Sequence, residues 1–162
     1  MKCSTSPSGR SITSSVHPVA RGYFITGTDT GVGKTRVATA LVSALRARNL
    51  DVGVMKPVSA GGREDAVELL SASGNSDDLD DVNPIALAEP LSPNLAAERS
   101  GTSIDVAHIL DVYGKLAERH DWMIVEGAGG LLVPLSDSCS IADLAKKIAL
   151  PLIIVARAAL GT

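Results

Sequence analysis

Aromatic side chains are almost absent: Tyr23, Phe24, Tyr113 and Trp122 are the only four in 162 residues. A core must therefore be filled by Val, Ile, Leu and Ala, the residues that pack a parallel sheet buried on both faces. Cysteine is as scarce. Cys3 and Cys139 are too few for a disulfide framework and suit a reducing, cytoplasmic compartment. No apolar run is long enough to span a bilayer. Neither sign of charge is in large excess, and a net charge of −3 argues against a general affinity for nucleic acid or an anionic membrane surface. No internal repeat is visible.

What is present divides at residue 22. Residues 1–21 hold six serines, three basic residues and no acid. They lack the hydrophobic stretch of a secretory signal, so the expectation is a disordered N-terminal tail, with a transit peptide or a misplaced start as alternatives. From residue 22 to residue 162 the length suits one domain. Strand-like runs appear at 22–26, 52–55, 121–125 and 151–156, with helical patterns over 33–48, 64–72, 104–119 and 141–149. Asp105 and Ser140 sit at helix starts. Strands alternating with helices imply a doubly wound α/β fold with a parallel sheet, whose ligands bind at the carboxyl ends of the strands. The stretch 73–93 reads as loop. Its cluster of Asp77, Asp78, Asp80 and Asp81 reads as a solvated face rather than a coordination shell, because nothing gathers adjacent carboxylates around one ion.

"GTDTGVGKT", residues 27–35, lies between the first strand and the first helix. It departs by one residue from the phosphate-loop pattern G-x-x-x-x-G-K-[ST], since Thr28 stands at the first glycine position and Gly27 precedes it. Gly31 and Gly33 allow backbone N–H groups to converge on an anion, and the helix N-terminus points at the same place. Lys34 reaches β- and γ-phosphates, and the Thr35 hydroxyl suits Mg²⁺. The bland alternative, a simple helix-start turn, has no use for Lys34. Glu126, closing the apolar run "DWMIV", is the candidate carboxylate facing Thr35, and the glycines after it permit a sharp turn. Asp65, at the start of the second helix, is the second candidate ligand, or an acid serving only the helix dipole. Lys56 closes another strand beside the loop and is placed to neutralise a transferred phosphoryl group or an anionic substrate.

Taken together, "FITGTDTGVGKT", "VMKPVSAGG", "EDA", "PLSPNLAAERSG", "VEGAGGLLVPL" and "ARAALGT" resemble the dethiobiotin synthetase family over residues 22–162. The resemblance implies a phosphate-loop NTPase fold and an ATP-dependent cyclo-ligase of biotin synthesis. Its substrates would be 7,8-diaminononanoate, CO2 or bicarbonate, and ATP, with Mg²⁺ as cofactor and a homodimer as the working form. It implies catalytic roles for Lys56 and Lys34, and magnesium ligands at Thr35, Asp65 and Glu126. Nucleotide contacts would come from Gly31, Val32, Gly33, Lys34, Thr35 and Arg36, and from Asp65, Glu126, Gly127, Ala128 and Gly129. Lys56, Ser59 and Ala60 would bind substrate. The family usually carries a hydroxyl where Ala60 stands, so Ser59 is the candidate substitute; Asn94 stands where the family often has His. Family members continue past the position of Thr162 with an Asn-His pair and adenine-binding segments. The expected domain is therefore incomplete at its C-terminus, with apolar surface exposed near Ile153 and Val155. Related cobyrinate-type amide synthetases, partition-type ATPases and a partial chain acting only as a nucleotide-binding module are the alternatives.

Overall fold

The computed structural model describes residues 21–158. Except for Arg21, the expected tail lies outside them, as does the end of "ARAALGT". Four strands form a parallel sheet in the order β2-β5-β1-β8. These are β1 (Arg21–Gly27), β2 (Val52–Met55), β5 (Trp122–Gly130) and β8 (Leu152–Val155). The inner strands β1, β2 and β5 are nearly continuous in apolar residues because they are buried on both faces, whereas β8 at the edge is covered on one face only. Phe24, Met55, Met123 and Val125 join one core cluster, while Ile25, Val52, Val54 and Ile124 join a second. Alternation along each strand sends neighbours to opposite faces. The fold is thus the expected doubly wound α/β sheet.

Helices α1 (Lys34–Arg46) and α2 (Glu64–Ser73) supply the second cluster. The first cluster is supplied by α4 (Pro93–Arg99), α5 (Val106–Arg119) and α6 (Ile141–Ile148). Asp105 caps α5 by accepting from the His108 amide at 3.0 Å. Ser140 and Asp143 cap α6 reciprocally: the Asp143 amide donates to Ser140 Oγ, and the Ser140 amide donates to Asp143 Oδ2 at 2.8 Å. Ser140→Ala is expected to lower stability by about 1 kcal/mol in urea unfolding. Hydrogen bonds from the Ser140 hydroxyl and amide hold the Asp143 carboxyl below the usual range. A depressed carboxylate stabilises the fold above its unfolded pKa and loses that contribution as pH falls through the folded one. Stability should therefore decline below the ordinary carboxylate range, and Asp143→Asn should flatten that acid limb.

The stretch 73–93 is more ordered than a loop. It holds α3 (Leu79–Val82) and β4 (Ile85–Leu87), which pairs in parallel with β3 (Val58–Ala60). A second small sheet pairs β6 (Pro134–Ser136) with β7 (Cys139–Ser140). Strands of two or three residues carry too little periodicity to read locally. The aspartate cluster is also not a bare solvated face. Asp78 caps α3, Asp80 pairs with Arg63, and Asp81 pairs with Arg119. Asp77 is nearly buried and faces His120 Nε2 at 3.0 Å. The residues that answer them are distant in sequence, which hid the pairing. At the sheet edge the expected apolar surface near Ile153 and Val155 is present, carried by their neighbours. Ile153 and Val155 pack against the second cluster, and the exposed side chains are Leu152 and Ile154.

Candidate phosphate-binding active site

The carboxyl ends of β1, β2 and β5 meet at a cavity of about 750 Å³ whose walls include Gly31, Lys34, Lys56, Ser59, Asp65 and Gly129. The turn from β1 to α1 builds one side. Gly31 and Gly33 have φ of 67° and 101°, a left-handed backbone that a β-carbon would strain. Gly33 is the residue from which α1 starts, so the helix N-terminus opens on the loop. Gly27 carries the burden that the pattern assigns one residue later: a β-carbon there would meet Val32 Cγ2 at 2.7 Å. Thr28 can be a threonine because its φ is not positive, and its amide continues the strand pairing by donating to the Val155 carbonyl at 3.0 Å. Lys34 is almost buried and folds back across the loop to donate to the Asp29 carbonyl at 2.8 Å.

Glu126 arrives through strand register. It pairs with Ile25 on β1, after which Gly27 pairs with Gly130, so β5 bulges over Gly127–Gly129 immediately beyond the carboxylate. Glu126 is fully buried. Its Oε1 accepts from Thr35 Oγ1 at 3.0 Å and from Lys56 Nζ at 2.6 Å, while Oε2 is buried without a partner. Lys56 Nζ also donates to Asp65 Oδ2 at 2.7 Å, across the cavity mouth where Asp65 is half exposed. One ammonium group therefore bridges two carboxylates. Burial pushes the Glu126 carboxyl above the usual range, against the opposing pull of Lys56. For Asp65 burial also pushes upward, but the Lys56 hydrogen bond and charge prevail and hold it below the usual range. Burial and the Lys56 charge lower the Lys34 ammonium. Two carboxylates and a hydroxyl are the hard oxygen donors that a magnesium ion takes. The buried, unpartnered Glu126 Oε2 leaves ligating capacity there, so the residues present fit such a cation.

The remaining expected contacts are placed unevenly. Ala128 and Gly129 line the cavity, whereas Gly127 is buried beneath it, where a β-carbon would press on Phe24 Cε1 at 3.0 Å. Val32 packs over Gly27. The Arg36 side chain lies elsewhere, exposed beside Thr39 and Glu68 along α1 and α2. As the third residue of α1, it projects toward the side of the helix that faces Glu68, away from the loop. Ser59 and Ala60 both line the cavity, but the Ser59 hydroxyl is engaged with Asn83 Oδ1 at 2.8 Å.

Asn83 is the buried residue behind the site that sequence reasoning missed. It is buried and donates through Nδ2 to the Lys56 carbonyl at 2.7 Å, while the Lys56 amide donates to the Val82 carbonyl at 2.7 Å. Arg63 Nε donates to Asn83 Oδ1 at 3.2 Å. The backbone of Lys56 is thus clamped on both sides by the turn after α3. The one local signal was an Asn-Pro pair, which reads as an ordinary turn. Asn83→Ala strands the Lys56 carbonyl and the Ser59 hydroxyl, and should cost about 2–4 kcal/mol in chemical denaturation.

Residues 21–162 match a family described as an AAA domain. An ATP-dependent dethiobiotin synthetase of Anaeromyxobacter dehalogenans is 49% identical over 146 residues, covering 88% of this chain and 66% of the relative. One from Methanococcus vannielii is 44% identical over 139 residues, covering 86% of this chain and 66% of the relative. A third, from Bacillus cereus, is 42% identical and aligns over 87% of this chain and 60% of the relative. The chain thus spans about two thirds of the length of the first two and somewhat less of the third.

Proposed function

The chain belongs to the dethiobiotin synthetase family within the AAA-domain group, and from that premise we propose that it closes 7,8-diaminononanoate and CO2 into dethiobiotin at the expense of ATP. One amine adds to CO2 to give a carbamate and releases a proton. The carbamate oxygen takes the γ-phosphoryl group of ATP, and ADP departs. The second amine then attacks the activated carbonyl, the C–O bond to phosphate breaks, and the cyclic urea forms.

The observation that carries this reading is the convergence of Lys34, Lys56 and Asp65 on one cavity, with buried Glu126 bonded to both Lys56 and Thr35 behind them. Phosphoryl transfer between bound oxyanions needs positioning and charge neutralisation rather than a protein nucleophile, and two lysines beside a helix N-terminus supply both. Lys34 would lie along the phosphoryl oxygens, with the loop amides beneath them. Lys56 would hold the carbamate and the migrating group. Thr35, Asp65 and Glu126 would hold Mg²⁺, which when bound offsets the charge of the β- and γ-phosphates. A homodimer and a cytoplasmic location belong to the same reading and rest on the family resemblance. Among the described residues, no helix is long and apolar enough to cross a membrane.

The protein incubated with diaminononanoate, radiolabelled bicarbonate and ATP–Mg²⁺ should place label in acid-stable dethiobiotin and release ADP in equal amount. ATP binding with label recovered solely as acid-labile carbamate would leave a nucleotide-binding module in place of the ligase.

A further inference from the structure

The Lys56 ammonium occupies an unusual position. It is nearly buried, 2.6 Å from Glu126 Oε1 and 2.7 Å from Asp65 Oδ2, and Thr35 Oγ1 shares the same Glu126 oxygen at 3.0 Å. Those three side chains are the oxygen donors suited to a divalent cation, and the ammonium stands at the point between the two carboxylates. A magnesium ion draws its oxygens to about 2.1 Å. An ion bound between the two carboxylates would take the position the ammonium now fills, and even one using the free Glu126 Oε2 would stand within a few ångströms of that positive charge.

We propose that the Lys56 ammonium and a divalent cation are alternative occupants of the Thr35–Asp65–Glu126 site, so that cation binding releases Lys56 into the cavity where the substrate is held. The exchange rests on the reading of these residues as a cation–nucleotide centre. It deepens that reading by making the lysine a placeholder. Without the cation, Lys56 compensates two carboxylates, one of them fully buried. With the cation, that compensation is taken over, and the flexible four-carbon stem is free to swing. Asn83 fixes the backbone of Lys56, so the movement belongs to the side chain. The cavity wall beyond it is formed by Ser59, Ala60 and Gly61, which leaves room for the released ammonium. Lys56 would then become available to an anionic substrate after the cation arrives, giving an ordered assembly of the site.

Calorimetric titration with Mg²⁺ in the absence of nucleotide tests the exchange, using the wild-type protein, Lys56→Met and Lys34→Met. Removing the competitor should tighten Mg²⁺ binding by about tenfold or more, whereas Lys34→Met, which removes a nearby cation not bonded to either carboxylate, should change it by less than about threefold. Equal or weaker binding by Lys56→Met overturns the exchange, as does an equal gain in both variants, which would indicate general repulsion alone. Should Lys56→Met fold poorly, NMR of lysine Nζ in the wild-type protein reads the same event. The protected ammonium signal should be lost to solvent exchange at saturating Mg²⁺, and a signal that persists unchanged overturns the proposal. If none of the three proteins binds Mg²⁺, with or without ATP, the cation-centre reading fails and takes the exchange with it. Unaltered Mg²⁺ affinity in Lys56→Met alongside normal ATP-linked binding defeats the exchange alone.

Discussion

Lys56→Ala is expected to lower turnover by about 10²–10³-fold, the loss that follows removal of one charge contact aimed at a developing oxyanion. Its effect on ATP affinity should be far smaller, because the ammonium faces the two carboxylates and the cavity rather than the phosphate loop. That split between a rate effect and a binding effect marks an interaction made mainly in the transition state. Steady-state kinetics beside nucleotide titration would expose it, and turnover surviving within a few-fold would move the role elsewhere. The same substitution leaves Glu126 buried without its main counter-charge, and breaking a buried pair in this way costs about 3–5 kcal/mol. Thermal unfolding should accordingly show a less stable variant, with Mg²⁺ restoring part of the loss.

Lys34→Ala should weaken ATP–Mg²⁺ binding by about 10–100-fold, the scale of one or two charge-assisted hydrogen bonds. Two consequences of the structure combine here. The ammonium would be lost from the phosphate site, and the loop would lose the bond from Lys34 Nζ to the Asp29 carbonyl that ties its two ends. Titration of wild-type and variant protein with ATP–Mg²⁺ measures the sum. Equal affinity in both would remove the phosphate-loop assignment.

The two lysines differ in how legible they are. Lys34 belongs to a local pattern: strand, glycines at 31 and 33, lysine, threonine, helix. Each part has its own reason in backbone geometry, and the displaced first glycine did not disturb it because Gly27 makes the close approach to Val32 instead. Lys56 and Glu126 could be placed at strand ends from apolar runs alone, and the sheet then brings strand ends together. Asp65 was legible as a helix-start acid, without an indication of what it faces.

What only the tertiary structure decided is pairing over distance. Thr35 meets Glu126 across 91 residues, and Lys56 meets Glu126 across 70. Nothing in the sequence states that one ammonium bridges both carboxylates, because that depends on the register between β1 and β5 and on the bulge after Glu126. Asn83 escaped for the same reason: its side-chain partners Lys56, Ser59 and Arg63 lie 20 to 27 residues away, while its own neighbours read as a turn. The exposed alternation of Leu152 and Ile154 was likewise a matter of which sheet face α1 and α2 cover. Composition, periodicity and glycine geometry are local properties of the chain, so the sequence by itself determined the α/β class, the phosphate loop and the candidate ligands. Charge compensation and buried hydrogen bonding are properties of contacts, and those exist once the sheet has assembled.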